Sequence, residues 1–164
     1  MANEVNFFRN LMETFKTRQD LTWTDNNGFS QTKFIIDSQI YGISIIEDSI
    51  NDITFYEVSF HNINSGAISH SATAFNKNQF KILGIVSNAI KEKIPHAEVI
   101  YFASKRNSSN STQEFENRKR LYHRLCHKMS RENNMIPIVV DLDDEVVYGL
   151  CKTQDLADKF KQNI

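Results

Sequence analysis

Two long amphipathic stretches bracket a short strand that is apolar on both faces, and this arrangement limits the folds open to the chain. Val99 to Ala103 reads as a strand buried on both sides, which places it inside a sheet rather than at its edge. Before it, Asn78 to Ile94 carries Phe80, Ile82, Leu83, Val86 and Ile90 at helical spacing, and Pro95 stops the helix. Gly84 lies within that helix at a cost of about 1 kcal/mol relative to Ala, which a close helix–sheet approach would explain, as would chance. After the strand, Gln113 to Glu132 places Leu121, Tyr122, Leu125, Cys126 and Met129 on one helical stripe. An α+β domain follows, with a mixed, mostly antiparallel sheet of five to seven strands flanked by helices.

The remaining segments fit that plan. Asn3 to Lys16 predicts an amphipathic helix, with Val5, Phe8, Leu11, Met12 and Phe15 on one face. Thr22 to Gln31 is polar, carries the turn signal Asn26-Asn27-Gly28, and reads as a loop. Lys33–Asp37, Ile40–Glu47 and Ile53–Asn62 are rich in β-branched and aromatic residues and predict strands. In the last of these, Thr54, Tyr56, Val58 and Phe60 form the expected core face. Asn51-Asp52 supplies a hairpin turn. Asn64 to Lys77 reads as an edge strand or as a loop leading into the helix. Lys105 to Thr112 reads as a polar loop. Ile136–Leu142 and Glu145–Cys151 predict a closing hairpin, and residues 154–163 a short terminal helix. No repeat or linker divides the chain, so one domain over residues 1–164 is expected, with its sheet and main helices within 33–151.

Charge and composition exclude several classes. The formal net charge is -1, so a global basic field for nucleic acid is absent. No apolar run reaches the roughly 18 residues that span a bilayer, and no export signal opens the chain, so a cytoplasmic protein without a membrane partner is expected. Cys126 and Cys151 then read as two reduced, packed thiols.

The order of elements resembles that of the GCN5-related N-acetyltransferases, an acyl-CoA N-acyltransferase fold. There a helix follows the fourth strand and carries the acyl-CoA pyrophosphate at its N-terminus. A fifth strand, a helix that often bears a Leu-Tyr pair, and a closing hairpin come next. The helix from Asn78, the strand at Val99–Ala103, the pair Leu121-Tyr122 and the final hairpin stand in those places. The resemblance implies acetyl-CoA held near Lys77 and Asn78, and Tyr122 as the general acid for a departing thiolate. The family's glycine-rich phosphate loop has no counterpart in Phe75-Asn76-Lys77-Asn78-Gln79-Phe80, so no cofactor is expected. Phe80-Lys81-Ile82-Leu83, Val99-Ile100-Tyr101-Phe102-Ala103-Ser104 and Arg118-Lys119-Arg120-Leu121-Tyr122-His123-Arg124-Leu125 resemble small uncharacterised tailed-bacteriophage proteins, which implies a host-cell cytoplasmic setting and no particular activity.

The residues offer one broad binding candidate. Arg118, Arg120, Arg124, Lys128 and Arg131 line the helix after the central strand, and Lys105-Arg106 adjoins it. Such a face grips phosphates or an acidic protein, unless it is simply a solvated surface balanced by Glu114, Glu116 and Glu132. His123 and His127 sit four apart, but two ligands do not make a metal site, so none is expected. Asp141, Asp143, Asp144 and Glu145 read as turn chemistry, and Tyr122 as a core residue first and an acid second. The resulting expectation is a phage-type accessory protein, non-catalytic, that binds a host or viral macromolecule, protein or nucleic acid. A divergent N-acyltransferase and a nucleic-acid-binding module are the alternatives.

Overall fold

The structure, a computed structural model, describes residues 21–64, 67–69, 72–105 and 112–164, with side chains at 62, 64, 67–69, 72–79 and 112–114 outside that description. The helix expected over Asn3–Lys16 lies outside the described residues.

Three tight hairpins build the first half of the sheet. Strands β1 (Thr24–Asn26), β2 (Phe29–Ile36), β3 (Gln39–Ile50) and β4 (Ile53–Asn64) follow one another as antiparallel neighbours. The two-residue turns Asn27-Gly28, Asp37-Ser38 and Asn51-Asp52 all have positive φ at both positions. That geometry matches the right-handed twist of the flanking strands, and Asn, Asp and Gly tolerate it best. The polar segment expected to be a loop at Thr22–Gln31 is therefore a hairpin: its turn signal was real, and its strands lack apolar alternation because they lie at the sheet edge. A short strand β5 (Ala67–Ser69) then folds back on the end of β4.

Helix α1 (Ala72–Lys93) begins six residues before the expected start at Asn78 and leads to β6 (Val99–Lys105). β6 lies parallel to β4, pairing Phe55, Tyr56 and Glu57 with Val99, Ile100 and Tyr101. Helix α2 (Thr112–Asn133) leads to β7 (Ile136–Asp141), and β8 (Glu145–Cys151) returns antiparallel between β6 and β7. The order is β1-β2-β3-β4-β6-β8-β7, an open mixed sheet in an α+β fold. Both crossovers, β4–α1–β6 and β6–α2–β7, step across the sheet in the same direction. Right-handed connections then put both helices on one face.

That face holds the larger core. Val58 and Phe60 of β4 point into it as expected, beside Tyr41 and Ile43 of β3, Ile82, Val86 and Ile90 of α1, and Leu125 and Met129 of α2. Helix α3 (Gln154–Gln162) covers only part of the opposite face. Thr153 caps it by accepting a hydrogen bond from the Leu156 backbone N–H at 3.2 Å. Phe160 of α3 packs against Phe55 and Tyr101, with ring centroids 6.0 and 5.8 Å away. The β2–β3 end of this face stays open, with Phe29, Ile35, Ile40, Ile46 and Ile50 exposed.

Gly149 is what lets α3 sit so close. A Cβ built there would lie 2.7 Å from the Phe160 ring. Gly149→Ala is expected to destabilise the protein by about 1–3 kcal/mol through overpacking, read as a lower urea midpoint. An unchanged midpoint would show that α3 is not held there.

Candidate functional site: a basic groove between two helices

The helical face carries a groove of about 600 Å³ between α1 and α2. Phe80, Leu83 and Gly84 form one wall, and His123, Arg124, His127, Lys128, Arg131 and Glu132 the other. Phe80 was expected on the buried side of its helix, yet it is 74 % exposed. The buried stripe of α1 runs through Ile82, Val86, Ala89 and Ile90. Phe80 and Gly84 lie about 40° apart around the axis, given 100° per residue, and both turn toward α2 instead. A Cβ added at Gly84 would meet nothing within 4 Å, so no close approach to the sheet accounts for that glycine.

The structure divides the basic residues that the sequence grouped together. Arg120, Arg124 and Arg131 are exposed on α2, and His127 shares their stripe at steps of three and four. Among the described residues no carboxylate pairs with those three arginines. Lys128 pairs with Glu132, which also accepts from Ser87 at 3.2 Å, so that corner of the groove is closer to neutral. Arg118 is 6 % exposed and leaves the surface altogether. It stands on the sheet side of α2, three residues before Leu121 and four before Tyr122. Lys105 ends β6 on the other side of the sheet and lines a second cavity. Arg106 lies outside the described residues, as do the side chains of Lys77 and Asn78. The rings of His123 and His127 stack edge to face at 4.3 Å, and desolvation, then His127, lowers the pKa of His123. Among the described residues no three His, Cys, Asp or Glu side chains gather as a metal site.

The second cavity, about 270 Å³, opens on the α3 side of the sheet. Phe55, Ala103, Val147 and Phe160 give it an apolar floor, and Asp48, Glu57 and Glu145 an acidic rim. Tyr101 donates to Glu57 at 3.2 Å, and its phenol is pushed up to about 12, by burial first and by the Glu57 charge next. No sequence motif announced this cavity, because its residues come from β3, β4, β6, β8 and the end of the chain, at most three from each.

Tyr122 is 5 % exposed. It meets Phe60 edge to face at 5.1 Å and lies near Phe102 and Tyr148 at 6.0 and 6.4 Å. These contacts pack its ring into the larger core. Burial pushes its phenol up to about 12, although Arg118 pulls the other way. Tyr148 is likewise raised to about 12 and donates to the Lys119 carbonyl at 3.0 Å. Cys126 and Cys151 are both free and buried, and burial raises them to about 12 and about 11.

Compared with known proteins, the chain matches no family model, no curated protein and no solved structure. Among the described residues no helix is long and apolar enough to cross a membrane.

Stability at alkaline pH follows from these shifts. The folded state keeps the protons of Cys126, Cys151, Tyr122 and Tyr148 at pH values where the unfolded chain, with ordinary values of 9.0 and 10.0, releases them. The folded pKa is the higher one, so the stability is present below about pH 9 and is lost as pH rises toward 12. The urea midpoint is expected to fall steadily from pH 8.5 upward. In the same series at pH 8, a thiol reagent should label neither cysteine until the protein unfolds. Rapid labelling of the native protein would contradict the buried placement of both thiols.

Proposed function

We propose that the protein is a non-catalytic accessory protein, of the phage type its sequence resembles, that binds an acidic, amphipathic segment of a macromolecular partner in the groove between α1 and α2. One observation carries this reading: exposed Phe80, beside the buried Leu83, lines the same groove as Arg124 and Arg131, which no carboxylate neutralises among the described residues. An apolar wall opposite a cationic wall suits a helix that buries its apolar side and presents its acids to the arginines. Exposed Phe and Arg are also residue types that anchor protein interfaces. A nucleic-acid partner would use the same arginines but would leave the apolar wall less occupied, and the net charge of -1 gives it no long-range attraction.

The test is affinity capture from a cell extract with wild-type protein and three variants. Phe80→Ala and the pair Arg124→Glu/Arg131→Glu alter the groove, while Lys159→Glu/Lys161→Glu changes α3 on the far face. A protein retained by wild type and by the α3 variant, but lost from both groove variants, is the expected result. Direct titration of that protein should then weaken at least tenfold in the charge-reversed pair, with affinity falling as salt rises. Equal capture by all four would remove the groove as the site. Recovery of nucleic acid alone would replace the protein partner with a polyanion.

A divergent N-acyltransferase is the second reading, and a specific feature favours it. β4 and β6 pair over only three residues and stop at Glu57 and Tyr101, and beyond this seam Tyr122 packs against Phe60 of β4 and Phe102 of β6. The element order around that seam resembles the acyl-CoA family. Acetyl-CoA is expected to raise the melting temperature of wild type and of Tyr122→Phe alike if this reading holds, while acyl transfer is lost in the variant. No rise in either protein would remove it.

A further inference from the structure

Arg118 stands out from the other cations of α2. It is 6 % exposed, and its Nε–H has no hydrogen-bond partner. Among the described residues its guanidinium donates from Nη2 to the Lys105 carbonyl at 3.3 Å. No carboxylate pairs with it among the described residues. Burying a guanidinium without a counter-charge is costly, and buried charges are ordinarily paired.

A second orphan lies beside it. Ser104 is 1 % exposed, and its hydroxyl also has no partner. Residues alternate across β6, so Ser104 shares the helical face with Ile100 and Phe102, both in the core under α1 and α2. The contact of Arg118 with the Lys105 carbonyl puts the guanidinium at this end of the strand, next to the residue that carries the free hydroxyl. Buried groups without partners are rare enough to require a cause, and an absent ion is one of the standard causes. These two have complementary chemistry: a cationic N–H donor and a hydroxyl that both donates and accepts.

The ladder between β4 and β6 ends at Glu57 and Tyr101, so the β4-side edge of β6 carries no paired strand at Phe102–Lys105 among the described residues. The surroundings are apolar and aromatic, with Phe102, Phe115 and Tyr122 all in the same core cluster. In such surroundings a hydrogen bond to an ionised group is strengthened by the low local dielectric.

We propose that Arg118 and Ser104 form a small oxyanion site at the end of β6, which takes the carboxylate or phosphate group of a ligand. This site is separate from the groove between α1 and α2 and does not depend on what that groove binds. The anion accepts from the Arg118 Nε–H and from the Ser104 hydroxyl.

The experiment follows the Arg118 Nε–H signal by ¹⁵N NMR in the full chain, assigned by its loss in Arg118→Lys. Inorganic phosphate and, separately, acetate are titrated at constant ionic strength. The expected result is a saturable shift of that signal with one or both anions. Ser104→Ala, which removes a hydroxyl without a partner, should keep the fold and weaken the affinity about tenfold. Saturation with phosphate alone identifies a phosphoryl group as the ligand moiety, and saturation with acetate identifies a carboxylate. A signal that moves with neither anion overturns the proposal, as does an affinity unchanged by Ser104→Ala. Arg118→Met provides an independent check. If the guanidinium lacks a counter-charge, this variant melts higher than wild type in anion-poor buffer and gains no stability from phosphate. A lower melting temperature there would show that Arg118 is already satisfied within the fold, and would sink the site.

Discussion

The direction of the two crossovers is the constraint on which the rest depends. β4, β6 and β7 are parallel to one another, and the chain moves the same way across the sheet at each step. Right-handed connections therefore stack α1 and α2 on one face. That single fact gives the protein a thick side, where most large side chains are buried, and a thin side covered only by α3. It also brings two helices side by side with their outer flanks in water. The groove and its arginines exist because those flanks do not close over each other.

Much of this was legible in the sequence. The apolar run of β6, the helical stripes around it and the Asn-Asp turn after β3 each carry their own local signal, so element order and type could be read directly. The failures have physical causes. Phe80 has the spacing of a core residue, but a helix has two flanks beside its buried stripe, and only the neighbouring helix decides which flank an aromatic ring occupies. Arg118 reads as one member of a cationic run. Its position relative to Leu121 and Tyr122 puts it on the sheet side, and periodicity could have separated it from Arg120 and Arg124 had charge not been given priority over phase. The first hairpin was hidden because an edge strand needs no apolar alternation. The cavity under α3 could not be read at all, since its lining is assembled by register across β3, β4, β6 and β8.

Polar groups are distributed unequally between the two faces. On the α3 side, Glu57 and Tyr101 satisfy each other across the β4–β6 joint, and Asp48 and Glu145 remain at the rim in contact with water. On the helical side, the Cys126 thiol and the phenols of Tyr122 and Tyr148 hold their protons, and Tyr148 and Cys126 find backbone carbonyls to donate to. Arg118 and Ser104 depart from that economy of partners. A core that satisfies Tyr148 and Cys126 on neighbouring positions shows that satisfaction was available in this environment. The two exceptions therefore describe a local feature at the end of β6 rather than loose packing of the whole.

The short parallel joint has a mechanical consequence. The hairpin-linked strands β1 to β4 share long ladders, and β6, β8 and β7 share others, but these two sets are hydrogen-bonded to each other through only three residue pairs. Their union relies also on side chains such as Tyr122 of α2, which packs against both Phe60 of β4 and Phe102 of β6. The sheet thus behaves as two stiff plates joined by a narrow weld and a broad strap of side chains. Force or denaturant applied to such a body concentrates at the weld. An opening there would expose the backbone amides that bond between Phe55–Glu57 and Val99–Tyr101, while amides of the same residues bonded to β3 and β8 would stay protected within each plate.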